Sequence, residues 1–174
     1  MAVKPIVTME DPLLRQKSKK VTRFGDGLAN LVDDMFDSLH AARGLGLAAP
    51  QIGVLQRVFI VDMPADYDEN GNEIEPSKAY VLVNPEIVKA RGEEEMEEGC
   101  LSVPGYRGLV KRATSVTIKG QDVKGREVRY RAEDLLAQAF QHELDHLDGV
   151  LYIDHLEGPD KLWAIPIGEE EDEE

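Results

Sequence analysis

Two histidines four residues apart, with a glutamate beside the first, make His142-Glu143-Leu144-Asp145-His146 the segment of this 174-residue chain whose spacing most directly implies a chemistry. On a helix, a four-residue step turns about 400°, which leaves the imidazoles roughly 40° apart and one turn along, so both can bind one ion. A carboxylate next to such ligands can take a proton from water and later pass it to a leaving nitrogen. Two core histidines trading hydrogen bonds are the plainer reading, but they leave Glu143 without a use.

The motif supplies only two ligands, so the third decides the class. Extended zincins continue to a glycine and a third histidine. Here Gly149 is in place, Tyr152 stands where that histidine belongs, and His155 comes three residues too late. Cys100 is the only thiol and lies in Glu98-Gly99-Cys100-Leu101-Ser102. A lone cysteine is ordinarily a small buried hydrophobe. A thiolate with two imidazoles, however, leaves one position of a tetrahedral site open to water, which is the catalytic arrangement. A further segment, Gly44-Leu45-Gly46-Leu47-Ala48-Ala49-Pro50-Gln51, is small enough for close backbone approach. Its polar end, Gln51, could donate to a developing oxyanion; taken alone, the segment also reads as a tightly packed loop.

These residues need rigid supports. Leu28, Leu31, Val32, Met35, Leu39 and Ala42 fall on one helical stripe, which predicts a helix closed by Gly44 in a left-handed cap. A second helix is expected from Glu133, where acids suit the positive end of the dipole, to Leu147, closing at Gly149. Leu136, Ala139, Phe140, Glu143 and Leu147 share one face of it, and Leu135, Ala139, His142 and His146 an adjacent one; both should look inward. Arg57–Asp62, Tyr80–Val83, Val110–Lys119 and Glu127–Tyr130 read as strands, the last two as a hairpin about Asp122–Gly125. Met63–Lys78, with two prolines and Asn70-Gly71, reads as an exposed connection. The fold class is α+β: antiparallel strands packed around a central metal-binding helix.

Composition sets the limits. With 42% hydrophobic and 31% charged residues the chain can build one core, and its length fits one domain. That domain is expected over residues 1–167, with 168–174 a disordered acidic tail. The net charge of −14, from 34 acidic against 20 basic side chains, disfavours direct nucleic-acid binding. The acidic runs Glu93–Glu98 and Glu169–Glu174 read as solvated charge. A single cysteine and a start without an apolar stretch fit the cytoplasm, although an organellar form stripped of its transit peptide would look the same. No window approaches a membrane span.

Three separated segments, Gly44–Gln51, Glu98–Ser102 and Gln141–His146, resemble peptide deformylase in content and order. The similarity runs from about Met1 to Tyr152 and includes Asp11-Pro12-Leu13-Leu14 and Val83-Asn84-Pro85-Glu86. The resemblance implies hydrolysis of the formyl group from the N-terminal formyl-methionine of new polypeptides, with release of formate. It implies one divalent metal, Fe2+ in the cell with Zn2+, Ni2+ or Co2+ able to substitute, held by Cys100, His142 and His146. Glu143 takes the position of the general base; Gln51 and the Leu101 N–H take those of the oxyanion donors. Leu45, Gly46, Arg107, Leu135 and Ala139 take positions along the peptide cleft and methionine pocket. The expected partners are formyl-methionyl nascent chains, with transient proximity to the ribosome, and a monomeric state. Two features depart from the family: Met63–Lys78 is longer, and the acidic ending differs from the basic C-terminal helix some bacterial members use at the ribosome. A zinc peptidase of other specificity and a non-catalytic scaffold are the competing readings.

Overall fold

The structure, a computed structural model, describes residues 2–166; the acidic tail expected at 168–174 lies outside them. Helix α1 (Asp26–Ala42) buries Leu28, Val32, Met35 and Leu39, as its stripe predicts. Its cap differs from expectation. The left-handed residue is Arg43, at φ 57°, not Gly44. The Gly44 N–H closes on the Leu39 carbonyl and that of Arg43 on His40, a six-residue closure that puts Gly44 one position further out. Gly44 is needed for space instead, because a Cβ there would lie 2.7 Å from Leu101 and 2.8 Å from Leu39.

The strands are β1 (Gly46–Ala48), β2 (Val58–Met63), β3 (Asp66–Tyr67), β4 (Glu73–Glu75), β5 (Lys78–Arg91), β6 (Glu94–Cys100), β7 (Val103–Arg112), β8 (Ser115–Gln121), β9 (Glu127–Glu133) and β10 (Leu162–Ala164). They form an antiparallel five-stranded sheet in the order β1-β2-β5-β8-β9, a three-stranded sheet β10-β7-β6 and the small hairpin β3-β4. Both faces of β2 are covered. Val58 and Ile60 pack with α1, while Phe59 and Val61 pack toward the second helix, α2 (Asp134–Leu147), so the strand reads as a continuous apolar run. Phe140 of α2 anchors that core, its ring centre 5.9 Å from Phe59 and 5.4 Å from Tyr80.

Three expectations are corrected here. Tyr80–Val83 is the start of a much longer β5, which continues past Asn84-Pro85 through register shifts. Val110–Lys119 is two strands in two sheets, divided at Ala113–Thr114, where the Gln141 side chain accepts from Ala113 N and donates to Ala113 O, both at 2.9 Å. That amide takes the place of ladder bonds and lets the chain change sheets. Leu135 is 47% exposed, so its face of α2 does not look wholly inward. The expected hairpin β8–β9 is present, and Met63–Lys78 is indeed exposed, though its middle folds into β3–β4 about Gly71 at φ 82°.

Candidate metal centre

Cys100 ends β6 at the tight Leu101–Ser102 turn into β7, which points its thiol at α2. His142 and His146 meet it from one face of that helix. Cys100 Sγ lies 3.4 Å from His146 Nε2, and the three ligand atoms all fall within 4.8 Å of one another. Two ligands of a tetrahedral ion with metal–sulfur and metal–nitrogen bonds of about 2.3 and 2.0 Å stand about 3.5 Å apart, so the donors fit one ion. Electrostatics agree. Burial would lower the basicity of His142, but the Cys100 thiol and the Glu98 and Glu143 carboxylates outweigh it and raise its pKa well above the ordinary value. Burial and then the positive neighbours His142 and Arg112 push His146 well below it.

Glu143 stands between the imidazoles in sequence, with Oε1 3.9 Å from His142 Nε2. Its Oε2 is buried without a hydrogen-bond partner among the described residues, and burial pushes its pKa up to about 7. A carboxyl so poised can take up and release protons near neutrality. Gly46 makes its room: a Cβ there would sit 3.1–3.2 Å from the Glu143 side chain. Gln51, 1% exposed, is locked by Ala48 N–H donating to its Oε1 at 2.9 Å. Its Nε2 faces the thiol at 3.7 Å and donates to Ser102 Oγ at 3.0 Å. Leu101 follows the cysteine directly, its side chain packed on Gly44.

The remaining predicted residues lie further out. Leu45 packs at the edge of the α2 core, and Ala139 is buried within it, one turn before Glu143. Arg107 crosses Gly99, where a Cβ would meet its guanidinium at 2.9 Å, and donates to Glu97 Oε1 at 3.1 Å. Leu135 stands exposed at the start of α2.

Sequence reasoning missed the residues that hold the ligands. Glu98, expected to be solvated, is 4% exposed and accepts His142 Nδ1–H at 2.7 Å. With Nδ1 donating, Nε2 is left free to bind a metal. Arg112 grips both oxygens of Glu98, at 2.6 and 2.8 Å. Burial alone would raise the Glu98 pKa, but Arg112 and His142 bring it down to about 2. Tyr152 stacks on His142 at 6.1 Å and 27°. Strand alternation from Met96 to Glu98 was the available signal for an inward Glu98.

A half-buried thiol on a strand end, facing two imidazoles and a buried carboxylate carried by one helix among antiparallel sheets, is the arrangement of a metallohydrolase. The chain matches the polypeptide deformylase family over residues 3–162, and it belongs to that family. A peptide deformylase of Thermomicrobium roseum is 48% identical over 98% of this chain and 96% of its own length. The crystal structure of a peptide deformylase from Legionella pneumophila superposes with a TM-score of 0.80 at 44% identity, covering 91% of this chain and 88% of that one. A Synechococcus elongatus peptide deformylase in complex with actinonin aligns with a TM-score of 0.79 at 37% identity, over 88% and 79% of the two chains.

Proposed function

We propose that this chain removes the formyl group from the N-terminal formyl-methionine of new polypeptides, using Cys100, His142 and His146 as ligands of one divalent metal and Glu143 as the proton carrier. The observation that carries the reading is the buried Glu143 carboxylate, its Oε2 without a hydrogen-bond partner among the described residues, beside three convergent donor atoms. Held by those three side chains, the metal, Fe2+ in the cell with Zn2+, Ni2+ or Co2+ as substitutes, would supply Lewis acidity toward water and the formyl carbonyl. Glu143 accepts the proton released as water attacks the formyl carbon and hands it to the departing amine. Gln51 Nε2 and the Leu101 N–H donate to the oxygen on which charge builds, and both are held before the reaction starts. Gln51 is fixed by Ala48 and Ser102.

Gly46 and Leu45 present backbone to the peptide, Leu135 and Ala139 shape the methionine pocket, and Arg107 meets the chain beyond it. The enzyme works as a cytoplasmic monomer in one domain, meeting nascent chains near the ribosome without binding nucleic acid. Among the described residues no helix is long and apolar enough to cross a membrane. Formate release from formyl-Met peptides by the iron-loaded protein, with unformylated peptides untouched, is the expected result. Cleavage of internal peptide bonds, or no formate with any divalent metal, would overturn the reading.

A further inference from the structure

On the side of α2 turned away from the thiol, a surface cleft of about 350 Å³ is lined in part by Arg112, Asp145 and His155. It is no substrate site, because the Cys100 thiol and the Glu143 carboxylate do not line it. It marks instead where a chain of buried polar contacts reaches solvent. His155 Nε2 lies 2.9 Å from Asp145 Oδ2, and Arg112 donates to that same oxygen at 2.7 Å. An ionised carboxylate only accepts, so His155 donates from Nε2. Arg112 then grips Glu98 at 2.6 and 2.8 Å, and Glu98 holds His142 Nδ1 at 2.7 Å.

We propose that His155 is a positioning residue for the metal centre, bracing Asp145 against Arg112 so that Arg112 and Glu98 keep His142 aimed at the ion. The proposal rests on the reading that Cys100, His142 and His146 hold a metal. Local structure favours a built support over a surface accident. His155 closes the short 3-10 turn Tyr152–His155, whose first residue stacks its ring on the face of His142. One turn of chain therefore supports the same imidazole twice, through its face by Tyr152 and through its edge by His155. The turn is itself pinned, because Asp154 accepts from Leu151 N–H at 3.0 Å and pairs with Arg15. Asp145 is three-quarters buried at its side chain and Arg112 almost wholly so, whereas His155 is 39% exposed there. Truncating His155 therefore opens no core cavity, and its effect reads on the contacts it makes.

The test uses Co2+-loaded protein, whose visible absorption reports a thiolate-bearing tetrahedral site, and follows loss of that signal to excess chelator. Partners behind metal ligands typically change metal affinity by about 10- to 100-fold. With His155 three contacts further out, His155→Ala should release the ion about three- to tenfold faster and leave KM unchanged. His155→Gln, which can still donate to Asp145, should stay within about twofold of the parent. In an Asp145→Ala background, which removes the acceptor, His155→Ala should add nothing, since the two act in series. Equal release rates for parent and His155→Ala, equal loss in the Ala and Gln variants, or additive effects with Asp145→Ala would each overturn the proposal. A parent chain that takes up no Co2+, or keeps it after Cys100→Ala, would instead sink the metal centre itself.

Discussion

Glu143 and Gln51 divide the proposed chemistry, and the surroundings of each fit its part. Glu143 is buried, has one oxygen without a hydrogen-bond partner among the described residues, and is pushed up to about pKa 7, which suits a group that must both accept and return a proton. Gln51 is buried and held at both ends of its amide, which suits a donor that must not reorganise. Gln51→Ala should fold, keep its metal and lose about 10² to 10³ in kcat, the usual cost of one oxyanion donor; steady-state kinetics at saturating substrate with metal analysis check it. The cluster of Cys100, His142 and His146 was legible in sequence because spacing on a helix fixes the two histidines, and only one thiol exists to complete them. Glu98 was not. An acid in a run of acids looks solvated until β6 pairs with β7 and brings Arg112, fourteen residues away, onto both of its oxygens.

Elements turn these residues into a site. β6 and its turn deliver Cys100, α2 delivers both histidines and Glu143, and β1 passes behind Glu143 at Gly46. The Glu98–Arg112 pair ties β6 and β7 to α2 through His142 and Asp145. Because the Glu98 pKa lies at about 2 in the fold, below its ordinary value near 4.5, its stabilisation is fully present above pH 4.5 and fades as pH falls toward 2. Glu98→Gln should cost about 3–5 kcal/mol at pH 7, since it leaves a buried guanidinium short of a charge partner. Denaturant melts of chelator-treated protein should show the parent and variant converging between pH 4.5 and 2; a constant gap would contradict the assignment. Both helices and the β8–β9 hairpin were readable from periodicity. The division of Val110–Lys119 was not, because no Gly or Pro marks the break and the corner is made by Gln141, on a distant helix.

At the scale of the molecule, the three-stranded sheet brings Cys100 to the two histidines of α2, so a metal held by the three should tie sheet to helix as well as react. A ligand bound only by the native state stabilises it by mass action, about 4 kcal/mol at a thousandfold excess over Kd. Chelation should therefore lower Tm by several degrees or more, and re-addition of Co2+ or Ni2+ should restore it; calorimetry with and without chelator measures this. The acidic balance of −14 belongs to this scale too, and it bears on solubility and partners, not on fold. The central claim, that Glu143 moves protons beside a metal it does not itself hold, is tested most directly by Glu143→Gln. Formate release from a formyl-Met peptide and metal content are measured on the same preparation. The account predicts metal bound one-to-one as in the parent, with turnover down by about 10² to 10⁴. Unchanged turnover at full metal occupancy would contradict it.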